Sequence, residues 1–179
     1  MNAMWATIKR FQSPKRLCMR SVIGMCWLAL VSTLAQAEAA DSPMATVHRF
    51  IDASSRGDDK AVEALQTRDV SIIDEVPPYS WRGPGAYRAW AADAHRQDVA
   101  KDVHDGSLSL GHVIREESDG KTAYVVAQAL YRYKTHGVLS DEPAEMVFAL
   151  QRERDGWKIT AWCFTGTVPR PSATKSARR

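Results

Sequence analysis

The chain has 179 residues, of which 45% are hydrophobic and 25% are charged, and it contains ten glycines and eight prolines. This length and composition are typical of one globular domain; they exclude a wholly disordered chain, a collagen-like fibre and a polytopic membrane protein. The formal charge of +3 is unevenly distributed, because residues 1–37 hold five basic side chains and no acidic one. Beyond residue 37 acids outnumber bases, so the folded part is a poor match for the phosphate backbone of a nucleic acid.

The first 37 residues have the three parts of a secretory signal peptide. A basic segment precedes the apolar run Val22–Leu34, and the small-x-small triplet Ala35-Gln36-Ala37, of the kind that signal peptidase recognises, follows the run. We therefore expect cleavage after Ala37, a periplasmic or secreted domain, and no stable membrane association after cleavage. An uncleaved anchor is the alternative, although an apolar run of about 13 residues is shorter than the ~20 that span a bilayer.

Cleavage would remove two of the three cysteines and leave Cys163. A domain with one thiol has no internal disulfide, and it cannot form a metal site built on several cysteines. Cys163 lies in an apolar segment, which favours a buried and unreactive thiol. We expect no metal and no other cofactor, because no metal-ligand spacing relates His48, His95, His104 and His136.

The first half of the domain is predicted to contain three helices and one strand. Asp41-Ser42-Pro43 combines a capping side chain with a proline that begins a helix, and Gly57-Asp58 ends this helix and caps a second, short one. The strand covers Val70–Glu75 and precedes a loop over Tyr79–Gly85. The third helix has its apolar stripe at Tyr87, Trp90, Ala91 and Ala94.

The second half changes to the period of two that is typical of β-strands. Asp119-Gly120 and Asp155-Gly156 are turn dipeptides, whereas His136–Pro143 is predicted to be a longer loop and residues 166–179 a disordered basic tail. The predicted strands are Val103–Glu116, Thr122–Thr135, Ala144–Arg154 and Trp157–Thr165. Helices followed by antiparallel strands indicate an α+β domain, in which the helices pack on one face of the sheet.

A two-residue turn at Asp119-Gly120 would fix the register of the first hairpin. In that register Leu110 lies opposite Ala129, and His112 lies opposite Ala127. The small alanine side chains leave room on this face of the sheet for a ligand pocket. The alternative is that the third helix packs tightly on the alanines and fills this room.

Three local features add to the order of the elements. Gly57-Asp58 follows the first helix, Trp81-Arg82-Gly83 forms a turn before the third helix, and Asp155–Ile159 begins the last strand. In these features the chain resembles the NTF2-like superfamily, and within it the SnoaL-like and ketosteroid-isomerase-like proteins, over residues 44–165. The resemblance implies an NTF2-like cone, in which three N-terminal helices pack on a strongly curved, mostly antiparallel sheet. It also implies a homodimer formed through the outer sheet face, which here carries Tyr124, Val126 and Leu130.

The resemblance also implies which residues carry chemistry. Ketosteroid isomerases place a catalytic aspartate sixteen residues after the aspartate of their Gly-Asp pair, and counting from Asp58 this position is Asp74. Their oxyanion-donating tyrosine is matched by Phe50, which has no donor, and no acid occupies Met146–Leu150, where their second donor falls. The chain therefore retains only the base, and steroid isomerisation is disfavoured.

Asp74 and His112 are the two candidate catalytic residues. An inward carboxylate in an aromatic cavity would have a raised pKa and could act as a general base, whereas a carboxylate at a solvated strand end would not. His112 could polarise a substrate or bond to Asp74; the alternative is a histidine satisfied in the core or at its rim. The expected pocket wall consists of Phe50, Trp81, Tyr87, Trp90, Leu110, Tyr131 and Phe148.

Two classes of function fit this sequence. The first is an exported small-molecule binding protein or slow acid–base enzyme, of the isomerase, dehydratase or cyclase type, with an apolar or aromatic ligand in the pocket. The second is a non-catalytic dimerisation or interaction module. An open cavity on which Asp74 and His112 converge would favour the first class, and a filled interior would favour the second.

Overall fold

The computed structural model describes residues 41–172; the expected signal peptide over residues 1–37 therefore lies outside the described residues. The helices are α1 (Pro43–Ser55), α2 (Asp59–Ala64) and α3 (Ala86–Lys101). The strands are β1 (Gln66–Ile73), β2 (Ser80–Arg82), β3 (Val103–Ser118), β4 (Thr122–Thr135), β5 (Val138–Glu153), β6 (Gly156–Gly166) and β7 (Arg170–Pro171). The predicted α+β class is confirmed: three helices accompany a mostly antiparallel sheet, as the resemblance to NTF2-like proteins implied.

The two short N-terminal helices begin where their capping side chains predict. The Ser42 hydroxyl accepts a hydrogen bond from the Ala45 N–H at 3.1 Å, and the Asp58 carboxylate accepts one from the Ala61 N–H at 3.0 Å. Between them Gly57 adopts a φ of +66°, a left-handed conformation that glycine tolerates without strain. Helix α1 can therefore end here, so that α2 turns back towards the sheet.

The seven strands form one mixed sheet in the order β2–β1–β6–β5–β4–β3, with β7 paired to β5. Only the β1–β6 pair is parallel. Alternate residues of β4, β5 and β6 are buried, so the inner face of the sheet packs against the helices while the other face is partly exposed. None of the helices described here combines the length and the apolar character that a membrane crossing requires.

Two predicted loops and part of the predicted tail are strands instead. Residues 80–82 form β2, and only His136 and Gly137, both with positive φ, separate β4 from β5. The expectation of disorder from residue 166 is also wrong up to Ser172, because Arg170–Pro171 pairs with β5 and the Ser172 N–H donates to the Leu139 carbonyl at 2.9 Å. Residues 173–179 lie outside the described residues.

The turn between β3 and β4 is wider than a two-residue turn. The Asp119 carboxylate accepts hydrogen bonds from the N–H groups of Lys121 and Thr122, at 2.8 and 2.6 Å, and Ser118 pairs with Ala123. The wider turn shifts the pairing of β3 with β4 away from the predicted register. Two irregularities in β3 then remove this shift and restore the predicted pairing of Leu110 with Ala129. Between them Val113 lies opposite Ala127, so the predicted position of His112 there is wrong.

Candidate functional site

A cavity of about 280 Å³ lies between α1, α3 and the inner face of the sheet. Its apolar wall is mostly aromatic and is formed by Phe50, Trp90, Tyr131, Met146, Trp162 and Phe164. Trp90 and Trp162 meet edge to face, with ring centroids 5.0 Å apart, and Phe50 packs on Trp162 at 5.8 Å. Such edge-to-face contacts hold the rings in fixed orientations, so the wall is formed by the folded chain itself. The cavity is large enough for a molecule of one or two rings.

Asp74 lies directly after β1 and faces this cavity. The residue is only 9% exposed, and its Oδ1 accepts a hydrogen bond from the Val76 N–H at 3.1 Å. Burial raises the pKa of the Asp74 carboxyl to about 6, and the charge of Glu75 adds to the rise, against the opposing effects of the Val76 N–H and the Trp90 side chain. At neutral pH Asp74 is therefore mostly ionised, yet basic enough to accept a proton from a ligand.

The indole N–H of Trp90 is buried beside this carboxyl. It is close enough to lower the pKa of Asp74. It does not reach the Asp74 carboxylate with the geometry of a full hydrogen bond, and no other residue of the segment 41–172 accepts from it. A buried N–H without an acceptor costs about 1–3 kcal/mol, and a ligand oxygen in the cavity would remove this cost. Trp90 therefore supplies a hydrogen-bond donor to the site, whereas Phe50 supplies none.

A second acidic group lies beside Asp74, where β5 and β6 meet. Glu142 is 2% exposed on the inner side of β5, and its carboxylate and that of Glu75 both reach over Gly166. A side chain at position 166 would overlap Glu142 Oε1 and would come within 2.6 Å of Glu75 Oε2. Burial and the nearby Glu75 raise the pKa of Glu142. The protonated form of Glu142 is thus favoured beside Glu75.

Three of the predicted pocket residues line the cavity, namely Phe50, Trp90 and Tyr131. The prediction is wrong for Phe148, which is fully buried beneath Phe50 with ring centroids 5.8 Å apart. The Phe148 ring fills the core at this point. Met146, two residues earlier on the same face of β5, reaches the cavity instead.

Trp81, Tyr87 and Leu110 also lie away from the cavity. The Trp81 indole N–H donates to Asp93 at 2.8 Å and the Tyr87 hydroxyl donates to Asp59 at 2.8 Å, so both polar tips anchor the helices rather than face a ligand. Leu110 packs at the edge of the core and borders a groove that does not include Asp74.

His112 is exposed on β3 and does not line the cavity. The irregularity between Leu110 and Val113 gives Val113 the inner position that a regular strand would have given to His112. The predicted convergence of Asp74 and His112 is therefore wrong. Within residues 41–172 no three His, Cys, Asp or Glu side chains are arranged to hold a metal ion.

Sequence reasoning missed Glu142, Trp162 and Asp98. Glu142 fell in a segment predicted to be a loop, although burial at Ser140, Glu142 and Ala144 follows the period of a strand. Trp162 alternates with Phe164 on the inner face of β6, and Asp98 lies on α3 at the mouth of the cavity. Asp98 carries no signal in the sequence, because exposed helical aspartates are common.

The raised carboxyl pKa values predict that the domain is more stable in mild acid. Asp74 and Glu142 bind protons more tightly in the folded domain than in the unfolded chain. The stabilisation that results is fully present below the ordinary carboxyl pKa and is lost as pH rises. For Asp74 the loss runs from about pH 4 to about pH 6, and Glu142 extends it upward. We expect the free energy of unfolding to fall by roughly 1–3 kcal/mol from pH 5 to pH 8 in urea titrations.

Two variants test the assignment of this slope. Glu142→Gln should flatten the pH dependence, because an amide does not titrate, whereas Glu145→Gln on the exposed side of the same strand should leave the slope unchanged. A stability that rises between pH 5 and pH 8 would contradict the assignment.

Comparisons with known proteins agree with this fold. An NTF2-like protein with a cystatin-like fold from Novosphingobium aromaticivorans is 17% identical, with a TM-score of 0.58 over 90% of this chain and 97% of that chain. A ketosteroid isomerase-like protein from Erwinia carotovora is 19% identical, with a TM-score of 0.55 over 70% and 94%. A hexachlorocyclohexane dehydrochlorinase from Novosphingobium barchaimii is 14% identical, with a TM-score of 0.60 over 81% and 94%.

These identities are low, so the structural likeness establishes the fold alone. Comparison with curated proteins yields no match. The model of the SnoaL-like domain family matches residues 44–165, which is more than half of the sequence. The chain therefore belongs to the SnoaL-like domain family.

Proposed function

We propose that the domain binds a small apolar or aromatic molecule in the cavity and that Asp74 acts on it as a general base. The observation that carries this proposal is a carboxyl group only 9% exposed on the wall of an aromatic cavity of about 280 Å³. A carboxyl in such surroundings gains basicity from desolvation while water is kept from the ligand. The reaction type that fits is proton abstraction from carbon, as in an isomerase, dehydratase or cyclase.

The donor and the proton store that this chemistry needs are also supported by the geometry. The Trp90 N–H can donate to an oxygen of the ligand on which negative charge develops. The Glu75–Glu142 pair, adjacent to Asp74, can take up and return a proton as the ligand passes to product. Asp74 would thus remove the proton, Trp90 would stabilise the resulting anion, and the carboxyl pair would keep the charge of the cavity nearly constant.

Deuterium exchange into a carbon acid tests the proposal without knowledge of the natural substrate. We would incubate the full-length chain with 2-tetralone in D2O and follow loss of the α-proton signal by NMR. The proposed function requires exchange faster than in a solution of free acetate at equal carboxylate concentration. Absence of both exchange and binding would instead favour the non-catalytic interaction module.

We also propose that the domain acts outside the cytoplasm, on the basis of the basic segment, the apolar run and the triplet Ala35-Gln36-Ala37. Expression in a bacterial host followed by fractionation should yield a soluble exported species whose intact mass corresponds to residues 38–179. A full-length species held in the membrane fraction would contradict this proposal and support an uncleaved anchor.

We further propose a homodimer formed through the outer face of the sheet. An apolar row crosses four strands there, because Ile73 pairs with Cys163, Cys163 with Val147, and Val147 with Val126. Ile73 is 49% exposed, and a continuous exposed apolar row of this kind is usually covered by a partner. Tyr124, 40% exposed, extends this surface.

Val126→Arg should weaken the dimer, because a guanidinium in this row cannot be buried without a partner. We expect the dissociation constant from sedimentation equilibrium to rise about ten-fold or more. Val138→Arg, at an exposed valine outside the row, is the control and should change nothing. A wild-type chain that is monomeric at micromolar concentration, or a dimer that reductant dissociates, would refute the proposed interface.

A further inference from the structure

The charged groups around the cavity are all acidic. Asp74, Glu75 and Asp98 line it, Glu142 lies directly behind, and no lysine, arginine or histidine is among the lining residues. Surface carboxylates of the same domain pair with bases, as Glu63 does with Arg88. Within residues 41–172, by contrast, no basic side chain forms an ion pair with any of the four cavity carboxylates. No ion pair among the described residues therefore compensates the charge of the cavity, which basic groups reach only from a longer distance.

Among these groups, Asp74 gives the strongest indication of a cationic ligand. It is more than nine-tenths buried, it faces the cavity, and the Val76 N–H donates to it while the Trp90 N–H lies nearby. A buried carboxylate without a charged partner is costly, and a cation in the cavity would compensate it. Metal ions are a poor fit, since the carboxylates of this segment do not converge as a ligand set.

The aromatic part of the lining favours the same chemistry. Five aromatic side chains line the cavity together with the carboxylates, namely Phe50, Trp90, Tyr131, Trp162 and Phe164. Aromatic faces attract cations, and a ring stack also accommodates the apolar frame of an organic molecule. A metal ion would leave this wall unused, whereas an organic ammonium on a ring would contact both walls.

We propose that the ligand of the cavity is a small organic cation, a protonated amine carried on an apolar or aromatic frame. The ammonium group lies against Asp74, with Glu75 and Asp98 on either side, and the frame lies against the aromatic wall. This inference rests on the proposed function of the cavity and names its ligand class. A positive charge near the scissile C–H also acidifies it, which suits a site whose position 50 holds no oxyanion donor.

Protonation of the cavity should therefore compete with the cation. The groups that interact with Asp74 from the elements packed around it are Tyr131 from β4, Glu142 from β5 and Cys163 from β6, and His95, Lys101 and His104 act on Asp98. Lys101 is exposed and outside the cavity, so its opposing charge is screened. Between pH 5 and pH 7.5 Asp74 and Glu142 ionise, and their ionisation strengthens cation binding.

Three probes of similar size and different charge test the inference: benzylammonium, benzyl alcohol and benzoate. Binding to the full-length chain is measured by calorimetry and by tryptophan fluorescence, since Trp90 and Trp162 line the cavity. At pH 7.5 we expect benzylammonium to bind about ten-fold more tightly than benzyl alcohol, and benzoate not to bind. At pH 5 the preference should shrink several-fold, while the affinity for the alcohol stays constant.

Substitutions test which residues produce the preference for the ammonium probe. Asp74→Asn should remove most of the ammonium preference and retain binding of the alcohol, and Asp98→Asn provides a second variant should the first fail to fold. Asp69→Asn, at an exposed position of β1, is the matched control and should keep the wild-type preference. Equal affinity for ammonium and alcohol would overturn the cation inference and leave the cavity function standing. Failure of all three probes to bind a folded chain would overturn both.

Discussion

Asp74→Asn should slow deuterium exchange into 2-tetralone by about a hundred- to ten-thousand-fold, because it removes the general base and leaves the cavity intact. The asparagine can still accept the Val76 N–H, which Asp74 Oδ1 accepts at 3.1 Å. Because a buried amide costs less than a buried carboxylate, the variant should be as stable as the wild type or more stable above pH 6. Loss of exchange with unchanged or increased stability is the signature of a functional carboxylate.

Glu75→Gln provides the contrast for this experiment. Glu75 is the next residue and also borders the cavity, but it is exposed and paired with Glu142 rather than enclosed by the aromatic wall. Its substitution should reduce exchange far less than that of Asp74. If both variants behave alike in exchange and in thermal unfolding, Asp74 is an ordinary acidic side chain and the enzyme proposal fails.

Phe148→Ala should lower the free energy of unfolding by about 3–5 kcal/mol, the largest stability effect that we expect of one substitution. Phe148 is fully buried and packs edge to face on Phe50, so truncation leaves a void between β5 and α1. Urea unfolding at one pH measures the loss.

Ile114→Ala serves as the control for Phe148→Ala. Ile114 is 47% exposed on β3, and its truncation should change the stability by less than about 0.5 kcal/mol. A loss below about 1 kcal/mol for Phe148→Ala would mean that this ring borders open space, as the pocket prediction from the sequence required.

The fold could be read from the sequence where local signals are strong. The caps at Ser42 and Asp58 and the alternation in β4 and β6 placed their elements within a few residues of the observed bounds. Pro143 misled the prediction, because a proline usually breaks a strand. Here Pro143 lies one residue beyond the last β5–β6 pair, at Ala144, so its missing N–H falls at the end of that ladder, where its carbonyl still accepts from the Thr167 N–H at 3.0 Å.

The site was less predictable, because it depends on register and on which of two neighbours faces inward. The irregularity in β3 between Leu110 and Val113 moves His112 out of the position that simple pairing gives it, and no local dipeptide encodes this irregularity. Asp74 could be identified by position, but its low exposure is a product of tertiary packing. The meeting of Glu75 and Glu142 joins residues far apart in the chain, and no local pattern encodes it.

Gly166 lies at the end of β6 against the Glu75–Glu142 pair, and this contact limits which residues can occupy position 166. Any side chain there would occupy the space that the Glu142 carboxylate fills, so the two positions cannot change independently. Alanine at 166 requires either a shorter residue at 142 or a Glu142 carboxylate that moves away from Glu75. In relatives, a bulkier residue at the position of Gly166 should coincide with a small one at the position of Glu142, which makes this glycine a marker of cavities that keep the acidic pair.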